Sequence, residues 1–356
     1  MRLGIIGLPQ SGKTTLYNAL TRGTQPTGIG SGKMEVHTAV VDVPDPRVDR
    51  LSEMFKPKKT IYAKVTYADI AGLDGSASKS GISGTLLNQI TQMDGLIHVV
   101  RVFEDENVPH PSGSVDPLRD IQAMDSEFIL NDLISVERKL EKLNEERKKG
   151  GGRDKAVIEH EIVLFQRAKE ALEQETPLRD VEISEEEEKA LAGFGFLSRK
   201  PILIVLNLSE GQAAPDIDYP HKHSQVVGLQ GKLEMDIAQL PPDEMKMFLD
   251  EYGIEEPSLN RMIRLSYDLL GLQSFFTAGE DECRAWTVAR GATAPEAAGV
   301  IHTDLQKGFI RAEVVQYNDL IALGSMAEAK AHGKFRLEGK EYIVKDGDIL
   351  NIRFAV

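Results

Sequence analysis

Cysteine is nearly absent from this chain: Cys283 stands alone among 356 residues. No disulfide framework and no cysteine-based zinc site can form within one chain, and a reducing compartment is implied. Long apolar runs are missing too. No stretch approaches about 18 uninterrupted apolar residues, and the apolar start Leu3 to Leu8 is too short for the core of a secretory signal, so no membrane association and a cytoplasmic location are expected. Positive charge is in deficit, with 42 Lys and Arg against 56 Asp and Glu and a formal net charge of -14. That excludes a chain that coats nucleic acid or lies on a membrane, and no DNA sequence specificity is expected. The local basic runs Lys56, Lys58, Lys59 and Arg147, Lys148, Lys149 read first as solvated faces.

What is present begins at the N-terminus. The apolar run Leu3-Gly4-Ile5-Ile6 leads into Gly7-Leu8-Pro9-Gln10-Ser11-Gly12-Lys13-Thr14, a phosphate-binding loop of the form G-x-x-x-x-G-K-[ST] between a strand and a helix from Thr15 to Thr21. Glycines without Cβ let the backbone wrap a phosphate, and the positive end of the following helix favours an anion. Leu8, Pro9, Gln10, Ser11, Gly12, Lys13, Thr14 and Thr15 are therefore the expected triphosphate cradle. Lys13 is expected to bridge the β- and γ-phosphates, as an exposed loop lysine that adds little to stability, and Thr14 to ligate Mg²⁺. The bland alternative, a Gly-rich turn with a solvated lysine, does not account for the strand-loop-helix context.

Short apolar runs at Leu3 to Ile6, Val40 to Val43, Ile61 to Tyr67, Leu96 to Val102 and Ile202 to Leu206 alternate with helical segments. The pattern predicts an α/β nucleotide-binding core with a mainly parallel sheet. Between about Asp120 and Ser198, apolar residues recur at helical spacing on both sides of Gly150-Gly151-Gly152, through Ile121, Met124, Phe128, Leu133, Val136, Leu140 and Leu143, then Ile158, Ile162, Phe165 and Leu172. This predicts an inserted helical coiled-coil hairpin. After Leu269-Leu270-Gly271, alternating segments at Ala285 to Val288, Phe309 to Val315, Phe335 to Leu337, Tyr342 to Val344 and Ile349 to Phe354 predict a small mixed-sheet module. The expected division is 1–119 and 199–272 for nucleotide binding, 120–198 for the hairpin and 273–356 for the terminal module.

The strand Lys64 to Ala68 ends in Asp69-Ile70-Ala71-Gly72, the D-x-x-G element of switch-type nucleotide hydrolases. Asp69 is expected to hold Mg²⁺ through water and the Gly72 N–H to sense the γ-phosphate. Leu73 follows where signalling GTPases place a water-orienting glutamine, so turnover must be slow or another group must supply the function. After the fifth apolar run, Asn207-Leu208-Ser209-Glu210 stands in place of N-K-x-D. Leu208 carries no charge and Glu210 is one methylene too long for paired contacts to guanine, so base choice should be weak and ATP becomes a substrate alongside GTP.

These residues together resemble the Obg-like ATPase (YchF) family. The resemblance rests on the phosphate loop, Val43-Pro44-Asp45-Pro46-Arg47, Asp69 to Leu73 with Ala77-Ser78-Lys79, His98-Val99-Val100-Arg101, Gly113-Ser114-Val115-Asp116-Pro117 and Asn207 to Glu210. It is most specific in the tail, in Phe275-Phe276-Thr277-Ala278-Gly279, Arg284-Ala285-Trp286-Thr287-Val288, Ala298 to Asp304, Lys307 to Ala312 and Asp346-Gly347-Asp348-Ile349. The resemblance implies a TRAFAC-class P-loop ATPase with a G domain, a helical insertion and a C-terminal β-grasp (TGS) domain, linked to ribosomes and translation. It also implies that a histidine before Gly-Ser-Val-Asp-Pro compensates for the missing glutamine, which assigns a catalytic role to His110 beside Lys13. Two positions depart from the family. Gln10-Ser11 replaces an Asn-Val whose asparagine would help hold a monovalent cation, and Ser31-Gly32-Lys33-Met34 replaces Phe-Cys-Thr-Ile. The metal-completing threonine thus falls on Lys33, unless Thr38 or water takes its place. A GTPase of the same fold and a nucleotide-stabilised adaptor with negligible hydrolysis are the competing readings.

Overall fold

The computed structural model describes residues 1–25, 36–70, 82, 84–149, 152–252 and 254–355. Its strands are β1 (Arg2–Ile6), β2 (His37–Asp42), β3 (Lys59–Ile61), β4 (Lys64–Asp69), β5 (Gly95–Arg101), β6 (Ile202–Asn207), β7 (Ser224–Leu229), β8 (Leu272–Ala278), β9 (Glu282–Ala289), β10 (Phe309–Gln316), β11 (Arg336–Glu338) and β12 (Asp348–Phe354). They form two sheets, ordered β2-β4-β1-β5-β6-β7 and β11-β10-β12-β8-β9-β3. The chain divides into two compact units, one of residues 1–39 and 66–259, the other of residues 40–65 and 260–356. Residues 46–61, expected in the nucleotide-binding domain, thus fold with the C-terminal part, whereas β2 and β4 on either side belong to the first sheet.

In the first sheet β4, β1, β5, β6 and β7 run parallel. Both faces are covered, which is why β5 and β6 are buried at every residue and read as continuous apolar runs. Strand β7 escaped the sequence reading because Ser224, Gln225 and Gly228 interrupt its apolar character at the sheet edge. Helix α1 (Lys13–Thr21) follows β1 and begins two residues earlier than Thr15.

The other helices that matter here are α2 (Pro46–Phe55), α3 (Gly84–Thr91), α4 (Pro117–Lys149) and α5 (Lys155–Glu173). Helix α4 has 33 residues, about 50 Å at 1.5 Å per residue. Its face serves two cores. Ile121, Met124 and Phe128 pack into the nucleotide-binding core, whereas Val136, Leu140 and Leu143 meet Ile158, Ile162, Phe165 and Leu172 of α5. The basic run near its end is largely paired, with Arg147 on Glu159 and Lys149 on Glu145, as a solvated face requires.

Asp132, fully buried on α4, fixes the base of the hairpin. Its carboxyl accepts from Leu197 N–H at 2.9 Å, Ser198 N–H at 2.7 Å and Ser198 Oγ at 2.7 Å. Burial pushes this carboxyl up to about 6, with the Ser198 and Leu197 hydrogen bonds pulling the other way. An unfolded aspartate titrates near 3.9, so the folded chain holds a proton that the unfolded chain releases between those values. The contribution to stability is full below about pH 4 and is lost as pH rises through 6. Asp132→Asn cannot ionise, so wild-type stability relative to this variant should fall by about 2 kcal/mol between pH 4.5 and 7.5. Urea midpoints across that range check it; a constant difference would show that the carboxyl is not raised.

The second sheet is mixed. β10 pairs antiparallel with β11 and β12, β12 parallel with β8, β8 antiparallel with β9, and β9 parallel with β3. A helix over Ala294–Ile301 lays Ala294, Ala297 and Ala298 on this sheet's core with Phe275, Phe309 and Leu350. The expected strand Tyr342 to Val344 is only an isolated bridge between Ile343 and Thr293. The reason lies in Asp348, whose Oδ2 accepts from Lys345 N–H at 2.8 Å and Tyr342 OH at 2.9 Å and so turns the chain.

The Val43 to Arg47 and Asp346 to Ile349 motifs meet inside this unit. Asp45 caps α2 by accepting from Arg47 N–H, and the Arg47 guanidinium bridges Asp45 and Asp346 while stacking 5.0 Å from the Phe276 ring centroid. These motifs hold the fold.

Candidate nucleotide-binding site

In the first sheet, β1, β4, β5 and β6 all deliver functional residues at their C-terminal ends, the place where open parallel sheets bind ligands. The loop after β1 carries Gly7 at φ 148° and Gly12 at φ 95°, both open to glycine and closed to side chains. A Cβ on Gly7 would stand 2.4 Å from Val99 O, and one on Gly12 would stand 2.1 Å from Asn207 Nδ2. Gln10 also takes a left-handed conformation, φ 62°, which asparagine tolerates better than glutamine. Helix α1 starts without a side-chain cap and has no acid in its first turn, whereas α2 is capped by Asp45. The free positive end of α1 suits an anion.

Leu8, Pro9, Gln10, Gly12, Thr14 and Thr15 are half-buried along this cradle, and Ser11 and Lys13 are buried. Lys13 is not the exposed loop lysine that the sequence suggests. It is 8% exposed, and its Nζ donates to Gly7 O at 3.1 Å and Leu8 O at 2.7 Å, which holds the ammonium against the loop backbone. Thr14 Oγ1 donates to Asp69 Oδ2 at 3.1 Å, so the hydroxyl and the carboxylate stand together. Burial raises the Asp69 carboxyl above its ordinary value, against the lowering pull of Thr14, Lys13 and His37. Gly72 and Leu73 lie outside the described residues, as do Ala77-Ser78-Lys79 and Lys33. Thr38 stands exposed on the edge strand β2.

Asn207 acts on the loop rather than beside it. Its Nδ2 donates to Ser11 O at 3.0 Å and its Oδ1 accepts from Gly231 N–H at 3.1 Å, bracing the phosphate loop against the turn after β7. Leu208 is buried among Val102, Ile204 and Leu206, and Glu210 is exposed. Beneath the phosphate loop lies a narrow crevice lined by Leu8, Ser11, His98, Val99, Arg101, His110 and Asp120. His98 is fully buried there, and burial with Lys13 nearby pushes it down to about 3, so its imidazole is neutral.

His110 is not a solvated loop histidine. Its side chain is 4% exposed; Nε2 lies 2.9 Å from Asp120 Oδ2, and Nδ1 accepts from Ser112 N–H at 3.1 Å. Asp120 Oδ1 in turn accepts from Arg119 Nε and Nη2. At the other end of the loop, Arg101 donates to Phe103 O and Asp105 O and stacks 4.5 Å from the Phe103 ring centroid. Asp120 and Arg119 had no role assigned from the sequence, and Arg101 appeared there only within a family motif. An Asp–His pair ten residues apart across a loop leaves no periodic trace.

Comparison with known proteins supplies the family. The family described as "50S ribosome-binding GTPase" matches residues 2–132, and a YchF C-terminal family described as "Protein of unknown function (DUF933)" matches residues 272–355. The chain is 44% identical to "Ribosome-binding ATPase YchF" of Bacillus subtilis, covering 99% of each chain. It is 43% identical to the protein of that name from Haemophilus influenzae, covering all of this chain and 99% of the other. The solved structure of the Schizosaccharomyces pombe YchF GTPase superposes with a TM-score of 0.84 at 29% identity, over 99% of this chain and 97% of that one. With its phosphate loop, its paired Thr14 and Asp69 and its terminal mixed sheet, this chain belongs to the YchF family of P-loop nucleotide hydrolases.

Proposed function

We propose that the chain is a nucleotide switch that binds ATP, hydrolyses it slowly and acts on the ribosome in the cytoplasm. The observation that carries this reading is the buried Lys13 beside the Thr14–Asp69 pair at the uncapped start of α1. The names of the relatives support ATP and the ribosome as substrate and partner. The hairpin and the terminal module, roughly 120–198 and 273–356, would make contact with that partner.

Thr14 and Asp69 present two hard oxygen donors, and burial raises the Asp69 carboxyl against the lowering pull of Thr14 and Lys13. This donor set fits Mg²⁺, which Thr14 and Asp69 would hold. The ion would neutralise charge on the phosphates. The chain's own part is positioning. Loop N–H groups and the end of α1 hold the phosphates, Lys13 moves from the loop carbonyls to the β/γ-oxygens, and Asn207 keeps the cradle in shape. His110 would orient or deprotonate the attacking water, since Leu73 cannot.

Leu208 carries no charge and Glu210 sets its carboxylate one methylene too far for paired contacts to guanine, so ATP should bind at least as well as GTP. The GTPase named for the S. pombe relative is the second reading. Competition titration decides between them: a GTP preference of ~100-fold, about 2.7 kcal/mol, would sink the ATPase reading. Turnover and co-sedimentation with and without ribosomes test the partner.

A further inference from the structure

We propose that Asp120 is a latch that parks His110 in a state unable to act on water, and that release from Asp120 sets the rate of hydrolysis. The inference rests on the reading of His110 as the group that acts on the attacking water. Ser112 N–H donates to Nδ1, so that nitrogen carries no proton and its lone pair is occupied. Nε2 must then carry the proton, and it donates to Asp120 Oδ2 at 2.9 Å. Both ring nitrogens are committed. Neither can accept a proton from water or donate to a phosphate oxygen while the contact holds.

The latch is built, and it is not a chance surface contact. The side chains of His110 and Asp120 are each 4% exposed, so their bond is shielded from competing water. Arg119 fixes the carboxylate through two bonds to Oδ1, at 3.0 and 2.8 Å, and ties the loop through Ser114 O at 2.7 Å and Ser114 Oγ at 3.1 Å. The parked ring faces the crevice under the phosphate loop, beside Leu8 and Ser11. Two buried polar atoms there, Ser11 Oγ and Arg101 Nη1, find no hydrogen-bond partner among the described residues. An unpartnered buried polar atom carries a desolvation cost that a rearranged loop can relieve. A shift of the 103–116 loop would carry His110 from Asp120 and change the surroundings of both atoms.

Asp120→Asn tests the latch, because an amide offers an acceptor to only one of the two donors, Arg119 and His110. Single-turnover ATP hydrolysis should accelerate about tenfold, the size of one charge-assisted hydrogen bond near 1.4 kcal/mol. In the His110→Ala background the same substitution should change nothing. Nitrogen NMR of labelled histidines should show the parked Nε2–H tautomer in wild type and an averaged free imidazole in Asp120→Asn. Should burial make that variant fold poorly, Arg119→Gln loosens the same carboxylate from a side chain that is 35% exposed, and a smaller, His110-dependent acceleration is expected. A slower Asp120→Asn enzyme would overturn the latch and make Asp120 an orienting partner. Unmoved ring signals would also remove the latch, while leaving the histidine's role standing. Equal rates for wild type and His110→Ala would remove the histidine from the reaction, and the latch with it, even where the pair persists by NMR.

Discussion

Lys13→Ala is expected to lower ATP affinity by at least ~100-fold, about 2.7 kcal/mol, while the chain still folds. The ammonium is the one full positive charge that the phosphate loop itself supplies, and it is already held at the cradle by Gly7 O and Leu8 O. A triphosphate exchanges those two carbonyls for charged oxygens, and bonds to charged groups are roughly twice as strong as neutral ones. Because Lys13 is 8% exposed, its loss also leaves the Gly7 and Leu8 carbonyls without their donor. A stability cost of about 1 to 2 kcal/mol is therefore expected as well. Calorimetric titration with ATP, beside a urea melt of the free variant, separates the two effects. Unchanged affinity would mean that the nucleotide sits elsewhere.

Much of this site is written in consecutive residues, and that part was legible. The phosphate loop needs glycines at Gly7 and Gly12 because Val99 O and the Asn207 amide close in on them, so the spacing is a local consequence of a local shape. The hairpin was legible for a similar reason, since Val136, Leu140 and Leu143 repeat at the period of the helix they form. What the sequence could not show is where an element ends up. Residues 40–65 carry a strand-like run next to the phosphate loop, yet the Arg47 guanidinium bridges Asp45 and Asp346, and β3 pairs with β9, across more than 200 residues of sequence. Asn207 reads as a base contact from its position before Leu208, and becomes a brace once Ser11 O and Gly231 N–H are brought to its amide. Tyr342 to Val344 has strand composition, but the nearby Asp348 carboxylate takes the chain into a turn. Each difference comes from polar or backbone contacts, local at Asp348 and long-range at the others, that outcompete the preference of the segment itself.

The same limit governs the hydrolytic step, where Leu73 removes the usual water-orienting side chain and His110 is the imidazole that the loop places at the crevice lined by Leu8 and Ser11. His110→Ala is expected to lower the single-turnover rate by ~10²-fold, the lower end for a general acid–base or positioning group, with ATP affinity nearly unchanged. The two parts of that expectation have separate grounds. The rate falls because His110 is the imidazole that this loop sets in the same crevice as Ser11 and Leu8. Affinity is expected to hold because the proposed phosphate cradle of Lys13, Thr14 and the start of α1 is built without the histidine. Leu73→Ala should have the smaller effect, since an apolar side chain gives up no hydrogen bond. Rapid-quench measurement at saturating ATP decides it. A matched fall in rate and affinity would make His110 a part of the binding site, and equal rates, negligible in both proteins even with ribosomes present, would favour a nucleotide-stabilised adaptor whose bound state rather than whose turnover carries the signal.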